Sequence, residues 1–215
     1  MGSDGLTAAI LVGGQSRRMG TNKALLTIDP NGSTIVETVA RKLGAVANEV
    51  VLVGSETAEY AFLDLPQIAD MVPGIGVIGG IYSALVAAGR PHVLVVACDL
   101  PFLNVSLLRY MASCPRDYDV LVPLLDQVQP LHAIYARTCL PLVEQSLRSG
   151  QYKVTGWFDH ANVRTLEHSI IQRYDPTLLS TFNMNTPENF EFAKQVLASC
   201  LPAGTAPGVE PAHGD

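Results

Sequence analysis

Short apolar runs alternate along the chain with segments of helical spacing. Residues 7–12 read Thr-Ala-Ala-Ile-Leu-Val, a strand that runs straight into Gly13-Gly14. Residues 34–46 space their apolar positions as a helix does, with Thr34 and Glu37 at capping-box spacing. Residues 50–53 form a second strand, and residues 77–88 a helix with small residues along one side. Residues 93–97 are apolar without a break, as a strand covered on both faces requires. Asn104 caps a helix to about residue 113, residues 120–122 and 132–136 read as strands, and residues 138–148 as a helix. Thr186-Pro187-Glu188 opens a last helix with a cap residue followed by proline at the first position. Alternation of this kind predicts an α/β fold, a mostly parallel central sheet between two helical layers in a Rossmann-like three-layer sandwich. Ligands of such sheets bind at the carboxyl ends of strands, so the loops after Val12, Val53 and Ala97 are where chemistry is expected.

The 215 residues, 48% of them hydrophobic, suit one domain over residues 1–200. Residues 201–215 are rich in Pro, Gly and Ala without periodicity and are expected to be disordered. A formal net charge of −6 with no basic stripe argues against a nucleic-acid partner. The positive charge is instead local: Arg17, Arg18 and Lys23 lie close together, which suits a small anion. Cys98, Cys114, Cys139 and Cys200 show no metal-ligand spacing and no secretory signal opens the chain, so they are expected as reduced thiols of a cytoplasmic protein. The apolar runs are far shorter than the roughly 20 residues of a membrane span. The opening Met1-Gly2-Ser3 is only weakly like an acylation site, because Leu6 stands where Ser or Thr is needed.

In Leu11-Val12-Gly13-Gly14-Gln15-Ser16-Arg17-Arg18-Met19-Gly20-Thr21-Asn22-Lys23, adjacent glycines permit a sharp turn and close backbone approach. Turn amides and the cations that follow can cradle a phosphate. A Walker loop does not fit, since the spacing from Gly14 to Gly20 is one residue too long and Thr21 follows where Lys is required. Composition alone also allows an ordinary strand-to-helix turn with solvated cations. Asp99 follows the apolar run 93–97, at the edge where a carboxylate can hold magnesium together with substrate phosphates; a turn-former ahead of Pro101 is the plainer alternative. Asp70 opens Asp70-Met71-Val72-Pro73-Gly74-Ile75-Gly76-Val77-Ile78-Gly79-Gly80-Ile81, a stretch built for special torsions. Within it, Gly74-x-Gly76-x-x-Gly79 formally fits a dinucleotide fingerprint, with Asp99 about 20 residues on, but the Pro-broken segment before Gly74 argues against an NAD site.

These segments together resemble the molybdenum cofactor guanylyltransferases, small nucleotidyltransferases of the nucleotide-diphospho-sugar transferase type. Their Gly-rich loop, their Asp-x-x-Pro-Gly-x-Gly stretch and their Cys-Asp-x-Pro-Phe segment find counterparts here, the last fully in Cys98-Asp99-Leu100-Pro101-Phe102. Gln129-Pro130-Leu131-His132-Ala133-Ile134-Tyr135 and Phe182-Asn183-Met184-Asn185-Thr186-Pro187-Glu188 resemble two further family segments, so the similarity spans residues 7 to about 192. Val12 stands for the usual Ala, Asn22 for the common Asp and Val77 for the usual Pro.

The resemblance implies transfer of GMP from GTP to molybdopterin carrying molybdenum, with release of pyrophosphate. It implies that Lys23, Arg18 and Asp99 act in catalysis, with Asp99 on Mg2+. It places Leu11, Val12, Gly13, Gly14, Lys23, Asp70 and Asp99 at the nucleotide, with Asp70 reading the guanine or lying beside it. An acidic group there can accept from the N1 and N2 donors of guanine, which adenine lacks. It places Asn183, Asn185 and Lys153 at the second substrate. The asparagines alternate on an extended segment and so point to one side. Transient contact with molybdenum cofactor enzymes or chaperones is also implied. A cytidylyl- or sugar-phosphate nucleotidyltransferase, or a GTP-binding module without catalysis, is the alternative. His132 is expected to be a satisfied, partly buried side chain without a role.

Overall fold

The computed structural model describes residues 5–12, 22–28, 31–54 and 58–199. Gly13, Gly14, Arg17 and Arg18 of the Gly-rich loop and the tail at 201–215 lie outside them. Among the described residues seven strands form one sheet: β1 (Leu6–Leu11), β2 (Glu49–Gly54), β3 (Gln67–Ala69), β4 (His92–Ala97), β5 (Val120–Pro123), β6 (His132–Ala136) and β7 (Val163–Leu166). Their order is β3-β2-β1-β4-β6-β5-β7. β6 runs against both of its neighbours and every other pairing is parallel. The chain leaves β1 toward one edge through β2 and β3, then crosses to β4 on the other side. The point of reversal is therefore the seam between β1 and β4, where Leu11 pairs with Ala97.

Strand alternation divides the core into two layers. Ala8, Ile10, Leu94 and Val96 face α1 (Ile35–Gly44), α3 (Val105–Ser113), α5 (His168–Tyr174) and α6 (Pro187–Ser199). Ala9, Val93 and Val95 face α2 (Val77–Ala87) and α4 (Leu140–Arg148), together with Trp157. The central strands are covered on both faces, which is why 93–97 is apolar throughout. The expected caps form: Thr34 and Glu37 make a capping box, and Asn104 accepts from the Ser106 and Leu107 amides. No helix among the described residues is long and apolar enough to cross a membrane. Cys114 and Cys139 are free thiols, and burial pushes Cys139 up to about 12.

The structure departs from the sequence reading in several places. α4 begins at Leu140, after a 3-10 turn at Arg137–Cys139, because Pro141 belongs in the first helical turn. Residues 149–185 hold an irregular helix at Val154–His160, β7 and α5, none of which carries a clear period. His132 is fully buried rather than partly so, and neither ring nitrogen finds a partner among the described residues.

Two predictions concern stability. A Cβ on Gly54 would stand 1.8 Å from the Val12 carbonyl oxygen, at the place where Val12 N–H donates to Val53 O at 2.9 Å. Gly54→Ala must shift backbone and is expected to cost ~1–3 kcal/mol, read as a lower melting temperature by circular dichroism. Burial lowers His132 to about 4, partly opposed by Asp175. The unfolded chain then binds more protons than the native one between the ordinary histidine value and about 4, so stability falls as pH drops through that window. His132→Leu removes up to about 3 kcal/mol of that acid dependence, measured by urea denaturation between neutral pH and pH about 4.

Candidate active site

The carboxyl end of β4 delivers Asp99 into a loop whose backbone is tied down. Cys98 N–H donates to Leu11 O at 3.3 Å, and Met184 N–H donates to Asp99 O at 3.3 Å. The Asp99 carboxyl group is half-buried, and burial holds it above the ordinary aspartate value against its own backbone hydrogen bond and the Lys23 charge. Lys23 opens a one-turn 3-10 helix, Lys23–Leu25, capped by the Asn22 side chain. Its ammonium donates to the backbone oxygen of Asn185 at 2.6 Å. Three segments distant in sequence, at Lys23, Asp99 and 183–185, thus meet on one side of the β1 terminus.

The asparagine segment is not a plain extended strand. Asn185 N–H turns back to Asn183 O at 3.1 Å, and Asn189 Nδ2 donates to Asn183 O at 3.0 Å. Met184 is still buried between a half-buried Asn183 and an exposed Asn185, so the two amides flank an apolar anchor. Thr186 caps the helix that follows by accepting from Asn189 N–H.

Asp70 stands on the other side, just past β3, where its N–H donates to Gly54 O at 3.2 Å. Its Oδ1 accepts from Val72 N–H at 3.0 Å and from Ser83 Oγ at 3.3 Å, and Ser83 Oγ also accepts from Met71 N–H at 2.9 Å. Gly74 and Gly76 take φ of 83° and 85°, a left-handed backbone open to glycine. Gly79 and Gly80 let α2 approach this loop and Leu11, since a Cβ at Gly79 would meet Val72 and one at Gly80 the Leu11 side chain. The fingerprint glycines therefore shape an edge loop; the strand before them, β3, ends at Ala69 and does not run into Gly74.

The expected nucleotide-binding amides divide. Val12 N–H is engaged with Val53 O, so it is turned into the sheet, and Leu11 O is engaged with Cys98 N–H. Gly13, Gly14 and Arg18 lie outside the described residues. Lys153 is exposed, at the start of the Val154–His160 helix, and no contact among the described residues joins it to Lys23, Asp99 or Asn185.

Sequence reasoning missed two supports. Ser83 is fully buried and fixes the Asp70 loop; its signal was a polar residue on an otherwise apolar helix, four positions after Gly79. Lys42, on α1, donates to Pro101 O at 2.7 Å behind the Asp99 loop. Burial and Arg41 lower its ammonium to about 8, against the pull of Asp175.

No group of three or more metal-ligating side chains occurs among the described residues. A cage made wholly by protein is therefore absent there, while one half-buried carboxylate at a strand terminus beside a lysine suits a magnesium ion completed by substrate phosphates. Such an arrangement can position an anionic ligand and compensate its charge.

A family model described as MobA-like NTP transferase domain matches residues 8–165. A probable molybdenum cofactor guanylyltransferase of Carboxydothermus hydrogenoformans is 38% identical over 86% of this chain and 93% of its own. The molybdenum cofactor guanylyltransferase of Desulfosudis oleivorans is 32% identical over 90% of this chain and 96% of its own. Among solved structures, the molybdopterin-guanine dinucleotide biosynthesis protein A of Archaeoglobus fulgidus superposes with a TM-score of 0.78 at 28% identity, covering 90% of this chain and 99% of that one. A 4-diphosphocytidyl-2C-methyl-D-erythritol synthase of Anaerococcus prevotii, at 16% identity and a TM-score of 0.68, covering 91% of this chain and 97% of that one, shares the fold. With the sheet, the strand-end loops and these relatives in agreement, the chain belongs to the MobA-like NTP transferase family and is a nucleotidyltransferase.

Proposed function

We propose that the chain transfers the guanylyl group of GTP to molybdopterin carrying molybdenum, releasing pyrophosphate. The observation that carries this reading is the meeting of Lys23, Asp99 and the 183–185 segment beside the β1 terminus, with Asp70 across from them. The names of the relatives supply the acceptor and the base.

An oxygen of the pterin phosphate forms a bond to the α-phosphorus of GTP while the bond to the β-phosphate breaks, and the electron pair leaves with pyrophosphate. The acceptor is already ionised, so neither a protein nucleophile nor a strong base is required. Lys23, with Arg18 of the Gly-rich loop, offsets charge on the triphosphate and the leaving group. Asp99 would hold Mg2+, which supplies charge compensation when bound. Leu11, Val12, Gly13 and Gly14 are assigned to the nucleotide in this reading. Because Asp70 Oδ1 is occupied internally, its other oxygen is the one that meets the guanine donors. Asn183, Asn185 and Lys153 take the pterin side. A cytoplasmic location is part of the same proposal, since both substrates are small soluble molecules.

The deciding experiment measures pyrophosphate release from GTP, CTP and ATP with magnesium and purified molybdopterin. Release from GTP alone supports the reading, and preference for CTP or no release from any nucleotide sinks it. Asp99→Asn is expected to abolish transfer yet raise the melting temperature at neutral pH without divalent ions. The sign follows from an acid raised in the native state: stability falls as pH rises past the ordinary aspartate value, and the cost is fully present at neutrality. Asp70→Asn is expected to lower kcat/KM for GTP by roughly ten- to a hundredfold, with a smaller change for ATP, in a substrate-competition assay.

A further inference from the structure

We infer that Asn22, Glu59 and Tyr60 form a clasp that positions Lys23. Asn22 Nδ2 donates to Glu59 Oε2 at 2.7 Å and to Tyr60 Oη at 2.8 Å. Its Oδ1 accepts from Ala24 N–H at 3.2 Å and from the Tyr60 hydroxyl at 3.2 Å. Glu59 and Tyr60 belong to the 3-10 helix Ala58–Leu63 that follows β2, and Tyr60 is buried in the core. One amide therefore ties the residue before Lys23 to an element 37 positions away that is itself anchored.

The partners fix the orientation of the amide, because its oxygen must face the Ala24 N–H and its nitrogen the carboxylate. Asn22 Oδ1 caps the turn Lys23–Leu25, and Asn22 O accepts from Leu25 N–H at 3.1 Å. With that turn set, the Lys23 side chain crosses to Asn185 O, over a hollow lined by Leu26, Ile35, Met184, Thr186 and Phe190. A one-turn helix cannot hold its own geometry in water, so the direction of Lys23 depends on what grips its first residue. The clasp also accounts for Asn22 standing where the related loops commonly carry Asp. A carboxylate could still cap Ala24 and accept from Tyr60, but it has no proton for Glu59 and would face another carboxylate.

That difference makes N22D a selective probe. The four lysines of the chain, Lys23, Lys42, Lys153 and Lys194, are labelled with acetic anhydride in the free protein and read by peptide mass spectrometry. N22D is expected to speed labelling at Lys23 by about fivefold, the net worth of one hydrogen bond, while the other three lysines are unchanged. The added negative charge by itself would raise the basicity of the lysine and slow the reaction, so faster labelling reports lost contact. The double variant N22D/E59Q gives the carboxylate a donor again and returns Lys23 to the wild-type rate. E59L, at an exposed position, removes the acceptor and speeds Lys23 in the same way if N22D fails to fold. Unchanged Lys23 labelling in both folded variants, or equal acceleration at all four lysines, overturns the clasp. Its value to catalysis rests on Lys23 meeting the nucleotide phosphates, and the matching outcome there is a lowered kcat/KM for GTP in N22D, restored in N22D/E59Q. An unchanged kcat/KM removes the catalytic part of the inference. A wild-type protein that transfers no guanylyl group would instead sink the proposed function, and the labelling result still decides the clasp.

Discussion

β1 is hydrogen-bonded on both sides by strands that run in its own direction, and this pairing fixes where the chemistry can stand. Leu11 is level with Val53 on one side and Ala97 on the other, so three strands end together. Their last backbone groups are spent on one another and on the end of β3: Val12 N–H on Val53 O, Cys98 N–H on Leu11 O, Asp70 N–H on Gly54 O. The fit at Gly54 is close enough to exclude any side chain. Loops that leave from one level must spread over one surface, and the residues able to carry charge lie there because the strands behind them are covered on both faces.

The surface so formed has two sides with different electrostatics. On the Asp99 side a carboxylate and an ammonium stand near each other, and burial works against the carboxylate charge. Holding Asp99 there costs the free protein stability, and a bound cation would reverse the balance. On the Asp70 side the carboxylate is oriented by a backbone amide and a buried hydroxyl, which spend one oxygen and leave the other. The first arrangement suits charge that changes during a reaction, the second suits recognition of fixed donors.

Much of this was legible in the sequence because its causes are local. Thr34 and Glu37 cap one helix across three residues, Asn104 caps another, and 93–97 advertises a strand with two covered faces. Asp70 and Asp99 could be singled out because Asp70 opens a stretch crowded with Gly and Pro, and Asp99 follows a buried apolar strand two residues ahead of Pro101. The rest lay in pairings between distant residues. Nothing in 132–136 says that β6 runs against its neighbours, since a fully buried strand has the same composition in either direction. Asn22 meets Glu59, Lys42 meets Pro101 and Lys23 meets Asn185 across 37, 59 and 162 positions, which no spacing rule reaches. His132 shows the opposite failure. The expectation for its residue type was partial burial with a partner, and its place at the head of β6, paired with Val96, put it inside the core.

The Asp99 loop shows how a flexible-looking segment is made rigid without using the side chain that matters. Ala97 N–H donates to Leu131 O, just before β6. Pro101 O accepts from Lys42 on α1, and Asp99 O accepts from Met184 N–H, ahead of α6. Three separate elements therefore grip the loop by its backbone. Beneath it lie the buried polar residues His132, Asp175 and Ser180, of which Asp175 accepts from the Ser180 amide and the Thr177 hydroxyl. Gripping the backbone satisfies groups that burial would otherwise leave costly, and it leaves the Asp99 carboxylate uncommitted to any of these three supports. A carboxylate held by its own main chain can take a new partner without the loop having to move. Lys23 is held in the opposite way, by its ammonium, which spends one of its three donors on the Asn185 carbonyl and keeps two for an anionic ligand. The two charged groups of the site thus differ in how they are held, and that difference follows from which atoms of each residue the fold has already spent.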